Sequence, residues 1–204
     1  MIVEYFEQGS PEWKAARVGI FTASQFDSLI TPKGKATTGK APESYINRLV
    51  AECLTGERDE IPSTYWMRRG IELEPEARDT LEGIEGVDFE EVGIIYQDDF
   101  CEVACSPDGV DFHQEVGCEI KCPSPAVHVE YLRAGVVPDK YIHQVQGSML
   151  VTGFKSWYFM SYHPSIKPLI IKVERDDEYI AVLQQVIESK IEQKLKLVKE
   201  LEQI

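Results

Sequence analysis

The run Val116–Cys122 constrains this chain more than any other stretch, because it sets two charges into a segment that otherwise has the composition of a buried strand. Side chains on a strand alternate between faces, so Glu119 and Lys121 project together while Cys118, Ile120 and Cys122 turn the other way into apolar surroundings. The upstream Pro107-Asp108-Gly109 is a turn signal that sets Asp108 between this strand and its neighbour. Two carboxylates and an amine gathered at one sheet edge are costly to desolvate unless they bind something.

Magnesium supplies a reason for the cost, since it prefers carboxylate oxygens, retained waters and the phosphate of a substrate. On this reading Asp108 and Glu119 are metal ligands, and the backbone carbonyl of Ile120 completes the shell. Lys121 orients the attacking water and stabilises charge on the phosphorane. Two ions per site would assist an in-line displacement. The competing reading is a plain Pro-Asp-Gly turn followed by a strand with one surface ion pair, and short motifs alone do not separate the two.

The elements around this run alternate between helix and strand. Thr22 to Gln25 forms a capping box ahead of Phe26, Leu29 and Ile30. The Gly-, Pro- and Lys-bearing segment Thr31 to Pro42 is expected to be a loop. Glu43 to Thr55 has a helical stripe of Ile46, Leu49, Val50, Cys53 and Leu54, closed by Gly56. Thr64 to Ile84 also has helical character, with a break or kink expected near Glu74 because Pro75 follows it. Val87–Tyr96, Cys101–Ser106 and Val116–Cys122 are expected to form a three-strand meander. Ser124-Pro125 opens a helix, and Tyr141 to Val151 forms another before Gly153. Strands are expected at Ser156–His163 and Leu169–Glu174. Asp176 then caps a long helix carrying Ile180, Leu183, Ile187, Ile191 and Val198. Helices between strands allow a parallel crossover, so the fold class is α/β with a mixed sheet. At 204 residues, a single unit spanning 1–204 is expected.

Composition limits the partners less than it first suggests. A net charge of −14 is unfavourable for binding phosphates. However, acidic residues that hold divalent metal present positive charge to a substrate, and the basic residues are bunched at Lys33, Lys35, Lys40 and at Arg68, Arg69. No apolar run is long enough to span a bilayer. The start of the chain has no basic leader with an apolar stretch, so a cytoplasmic location is expected. The five cysteines argue against a disulfide framework. Cys101-x₃-Cys105 and Cys118-x₃-Cys122 raise an iron–sulfur cluster, but cysteines four apart on a strand are better explained as small apolar residues. His113, His128, His143 and His163 lack ligand spacing, and His143 is expected to face solvent.

Several further motifs occur in one order: Glu7-Gln-Gly9, Trp13, Arg17-Val-Gly-Ile-Phe-Thr-Ala-Ser24, Ala104-Cys-Ser-Pro-Asp-Gly109, Glu119-Ile-Lys-Cys-Pro123, Gln144-Val-Gln146, Val151-Thr152 and Trp157-Tyr-Phe159. On these residues the chain resembles the phage lambda exonuclease family, the YqaJ-like viral recombinases and alkaline exonucleases of the PD-(D/E)xK nuclease superfamily. The similarity runs from Glu7 to about Tyr179. It implies a restriction-endonuclease-like core with a central mixed β-sheet flanked by helices. It also implies a catalytic set of Asp108, Glu119 and Lys121, joined by Glu74 near a second metal and by Gln144. Arg17, Ser24 and Ser106 match positions that hold a 5′-phosphate, with Lys33 where the family pattern has an arginine. Met67 falls where the family places an apolar strand-separating wedge.

The activity this resemblance implies is Mg²⁺-dependent (Mn²⁺ as substitute) 5′→3′ degradation of one strand of linear duplex DNA to mononucleotides. That reaction leaves a 3′ overhang for a single-strand annealing protein. A homotrimeric ring around DNA is implied, in a phage or prophage protein of a bacterial host. Two rival functions share the fold: an endonuclease that needs no DNA end, and a non-catalytic DNA clamp.

Overall fold

The computed structural model describes residues 1–58 and 64–202. Strand β1 (Ile2–Glu4) precedes the short helix α1 (Pro11–Ala15), whose N-cap Ser10 accepts a hydrogen bond from the Trp13 amide at 3.1 Å. Strand β2 (Phe21–Thr22) leads into a 3₁₀ helix (Ala23–Ser28). Helices α2 (Lys40–Thr55) and α3 (Tyr65–Glu85) follow, then β3 (Ile94–Tyr96), β4 (Val103–Cys105), β5 (Gly109–Asp111) and β6 (Val116–Lys121). Helices α4 (Pro125–Ala134) and α5 (Asp139–Thr152) form the crossover to β7 (Ser156–His163), which pairs with β8 (Ile166–Glu174) before the long helix α6 (Asp177–Leu201).

The strands form two mixed sheets of four, ordered β1-β3-β4-β2 and β5-β6-β7-β8. The α4–α5 crossover makes β6 and β7 parallel, with Glu119 opposite Phe159 and Lys121 opposite Ser161. The main core lies between the sheets, α5 and α6, and includes Phe21, Phe26, Ile95, Met149, Trp157, Phe159, Leu183 and Ile187. A second core packs Ala77 and Leu81 of α3 on Cys118, Ile120, Cys122 and Met160. The opposite faces of β6 therefore serve two different layers. Gly117 is required where β6 passes the Trp157 indole, because a Cβ there would stand 2.3 Å from the ring.

Several sequence expectations are corrected. The meander does not form. β4 pairs with β2 and β3, and β5 intervenes as the antiparallel partner of β6. The return between β5 and β6 needs Glu115 in a left-handed conformation (φ 53°), a turn that the intervening sequence did not signal. Val87 to Val92 is not a ladder strand, and only Glu90 bridges to Val110. Gly93 is pressed against the Phe6 backbone, so pairing with β1 starts at Ile94.

The helices differ from expectation as well. α3 runs unbroken through Pro75. Pro75 and Ile71 are both exposed, so water can reach the Ile71 carbonyl that the proline leaves without an amide partner. The expected capping box is also absent. Thr22 makes no side-chain cap, its amide donates to the Tyr45 hydroxyl at 3.1 Å, and Gln25 accepts from Arg48 at 2.8 Å. α2 starts at Lys40, inside the expected loop, and its Cys53 and Leu54 are exposed. β8 begins at Ile166, and β1 was not expected.

His143 is buried, not solvent-facing, because it sits on the inner side of α5. Cys105 lies in the main core, Cys118 and Cys122 in the second, and Cys101 against a third cluster of Ile94, Tyr96 and Ala104. That separation leaves no common centre for an iron–sulfur cluster. Among the described residues no helix is long and apolar enough to cross a membrane.

Candidate active site

Strand β6 carries the centre of the site. Glu119 is 1 % exposed, on the face of β6 opposite Cys118 and Ile120. Its Oε2 accepts from Gln144 Nε2 of α5 at 2.6 Å, and its Oε1 pairs with Lys121 Nζ. Lys121 stands 5.4 Å from the centroid of the Tyr141 ring, which itself stacks on Phe159. One turn of α5 thus supplies both Gln144 and Tyr141, because residues three apart share a helix face.

Asp108 arrives from the start of β5. Its amide donates to the Cys118 carbonyl at 3.2 Å, which ties the turn ahead of β5 to β6. Its Oδ2 accepts from the Ile120 amide at 2.6 Å. From the other side Arg78 Nη1 donates to the Asp108 carbonyl at 2.6 Å, while Nη2 pairs with Glu91. Arg78 is one turn after Glu74 on α3 and 3.8 Å from its carboxylate. Glu74 and Asp108 line the same two adjoining cavities, one with Trp13 and Arg78, the other with Trp66, Lys121 and Tyr141. Met67 and Ile71, both exposed, also line both cavities, so α3 forms a ridge between them.

Burial sets the electrostatics. It pushes the Glu119 carboxyl up, Lys121 opposes the rise, and the neighbouring Asp108 adds to it. Burial likewise raises Asp108 against the pull of Lys121 and the Ile120 amide. Glu74 is pushed up to about 7 by burial and by Asp108, with Arg78 and Lys121 opposing. Burial would lower Lys121, but Glu119 and Asp108 override it and hold the ammonium protonated. One ammonium is thus set among three mutually repelling carboxylates.

A divalent cation would relieve that repulsion. The available donors (carboxylates of Glu74, Asp108 and Glu119 and the Ile120 carbonyl) are hard oxygens of the kind magnesium takes. Among the described residues no three acidic, histidine or cysteine side chains already form a closed cage. Such openness suits an ion that is bound by few carboxylates and keeps several waters.

A second cluster holds Arg17, 7 % exposed, at the end of α1. Its Nη1 donates to Ser106 Oγ at 2.7 Å and its Nη2 to Ser24 Oγ at 3.4 Å, and its guanidinium lies 4.3 Å over the Trp13 ring. Trp13 Nε1 donates to Ser106 Oγ at 3.1 Å and to the Gly93 carbonyl at 2.8 Å. Ser106 is two residues from Asp108, so the two clusters share one loop. Lys33 is not brought into this cluster. It is exposed, and its neighbour Gly34 packs against Tyr179.

The sequence alone gave no role to Arg78 or Tyr141. The first was accessible, since Arg78 follows Glu74 at helical i,i+4 spacing. Tyr141 depends on tertiary packing and left no local signal.

Over residues 12–155 the chain matches the YqaJ-like viral recombinase domain. It matches no curated protein sequence. The alkaline exonuclease LHK-Exo of Laribacter hongkongensis is 30 % identical and superposes with a TM-score of 0.83, covering 95 % of this chain and 97 % of its own. A second structure, LHK-Exo in complex with dAMP, gives 0.82 at the same identity and coverage. A phage-related exonuclease from Haemophilus somnus 129PT shares the fold at 15 % identity, with a TM-score of 0.68 over 89 % of this chain and 96 % of its own. The fold is restriction-endonuclease-like, and the chain is a nuclease of the YqaJ-like viral recombinase family, within the lambda-exonuclease-like group of the PD-(D/E)xK superfamily.

Proposed function

We propose that this chain is a magnesium-dependent 5′→3′ exodeoxyribonuclease that degrades one strand of linear duplex DNA to mononucleotides and leaves a 3′ tail for an annealing protein. The observation that carries the reading is the buried Glu119 carboxylate, shared between Lys121 and Gln144, with Asp108 held at the Ile120 amide of the same strand. Buried charges packed so closely are retained at a cost, which points to a catalytic task.

Glu74, Asp108, Glu119 and the Ile120 carbonyl would hold Mg²⁺ (or Mn²⁺, two ions when loaded), which supplies a Lewis acid for the scissile phosphate. Gln144 orients Glu119 through its donated hydrogen bond. Lys121 keeps its proton at Nζ, where it orients the attacking water and offsets charge developing on the phosphate oxygens. Arg78 ties α3 to the site through the Asp108 carbonyl and lies one turn from Glu74, beside its carboxylate. Arg17, Ser24 and Ser106 hold the terminal 5′-phosphate, and the exposed Met67 parts the strands at the α3 ridge.

The test separates this activity from an endonuclease. Linear duplex and covalently closed circular DNA are incubated with the protein in magnesium or in EDTA. Mononucleotide release from the linear form alone, in magnesium alone, is the expected result. Nicking of the circle would instead support the endonuclease.

A further inference from the structure

Glu52 is a buried carboxylate, 2 % exposed, with arginines on two sides. Its Oε2 accepts from the Gly19 amide at 2.9 Å. Its Oε1 has no hydrogen-bond partner and stands 3.9 Å from Nε of both Arg48 and Arg58. Arg58 Nη1 donates to the carbonyl of Arg17 at 2.9 Å, so two guanidinium-bearing residues are joined through backbone despite their like charge. Arg17 is nearly enclosed, yet among the described residues no carboxylate lies within salt-bridge distance of it. Its side-chain contacts are two hydroxyls and an indole.

This arrangement is electrostatically incomplete. Burial and then the nearby Arg58 lower the Arg17 pKa to about 10, so neighbouring positive charge works against the buried cation. Among the described residues one carboxylate, Glu52, faces three arginines and cannot neutralise them all, and a chain of net charge −14 does not gather them without cause. A terminal phosphate, carrying nearly two negative charges and three acceptor oxygens, matches two arginine forks. The Arg58 side chain is 26 % exposed, so it remains open to a ligand.

We propose that Arg58, held in place by Glu52, is the second cation of the 5′-phosphate pocket and grips that phosphate together with Arg17. The assignment rests on reading Arg17, Ser24 and Ser106 as that pocket. It takes the place that the family resemblance gives to Lys33. Gly34, beside Lys33, packs at Tyr179, whereas the Gly19 carbonyl, two residues from Arg17, accepts from Lys194 Nζ at 2.8 Å. Fifteen residues of α6 separate those two contacts, about 22 Å of helix.

The experiment measures binding without turnover. Labelled duplexes ending in a 5′-phosphate or a 5′-hydroxyl are titrated in EDTA with wild type, Arg58→Gln, Arg58→Lys and Lys33→Ala. Wild type should favour the phosphate, and Arg58→Gln should shrink that preference about ten- to hundred-fold, the loss expected for a charged hydrogen-bond partner. Arg58→Lys should recover part of it, and Lys33→Ala should keep it. An unchanged preference in Arg58→Gln, or its loss in Lys33→Ala alone, overturns the assignment while sparing the pocket. Equal affinity of wild type for both ends overturns pocket and assignment together.

Discussion

Glu119 accepts two different donors while almost wholly removed from water, and Asp108 is close enough to Glu74 and to Glu119 to raise the affinity of both for protons. This has a consequence for stability. The Glu74 carboxyl, pushed up to about 7 from an ordinary 4.5, binds its proton more tightly in the folded chain than in the unfolded one. Its stabilising effect is therefore complete below the unfolded value and is lost as pH rises through the folded one. In EDTA, wild-type stability should fall between about pH 5 and pH 8, and Glu74→Gln should reduce that fall by on the order of 1–3 kcal/mol. Added magnesium should restore wild type at the upper pH, since a ligand that binds only the folded state stabilises it. Thermal unfolding across that range checks both statements, and identical slopes in the two proteins would contradict them.

At the scale of elements, α5 connects catalysis to packing. It presents Gln144 and Tyr141 to β6 while Gly147, Met149 and Val145 enter the main core. A Cβ at Gly147 would stand 2.5 Å from the Phe26 ring of the 3₁₀ helix, so Gly147→Ala should destabilise the fold by about 1–3 kcal/mol through overpacking. A lower melting temperature is the expected readout, and an unchanged one would show that Phe26 yields freely.

Element identity in this half of the chain was legible in sequence. Alternation on β6 and the caps at Ser124 and Asp176 have their causes within a few residues, and the structure shows both cap bonds. Sheet membership was not legible. β4 and β6 look like successive strands of a meander because nothing local reveals that β5 inserts between them or that β2 pairs parallel to β4. The same holds at the site. Glu119 and Lys121 share a face by strand periodicity alone, whereas the contacts of Arg58 with Arg17 and of Lys121 with Tyr141 join distant segments and exist only after folding.

At the scale of the whole molecule, an acidic chain has to hold a polyanion. The arginines near Arg17 and the cation expected between Glu74, Asp108 and Glu119 would concentrate positive potential locally in a chain of net charge −14. A closed ring of three copies would enclose DNA within that potential. The three-copy ring that the family resemblance implies predicts a sedimenting particle of about 70 kDa for a chain of 23.2 kDa, and a monomer at micromolar concentration would contradict the ring. On the function proposed above, Lys121 and its carboxylates hydrolyse DNA from a phosphorylated 5′ end. The most direct test of that function is digestion of linear duplex DNA phosphorylated at one 5′ end only, with wild type and Lys121→Ala, in magnesium and in EDTA. Loss of the 5′-phosphorylated strand with wild type in magnesium, slowed at least about 100-fold in the variant, is the predicted result. Equal digestion by Lys121→Ala, or preferential loss of the unphosphorylated strand, would contradict it.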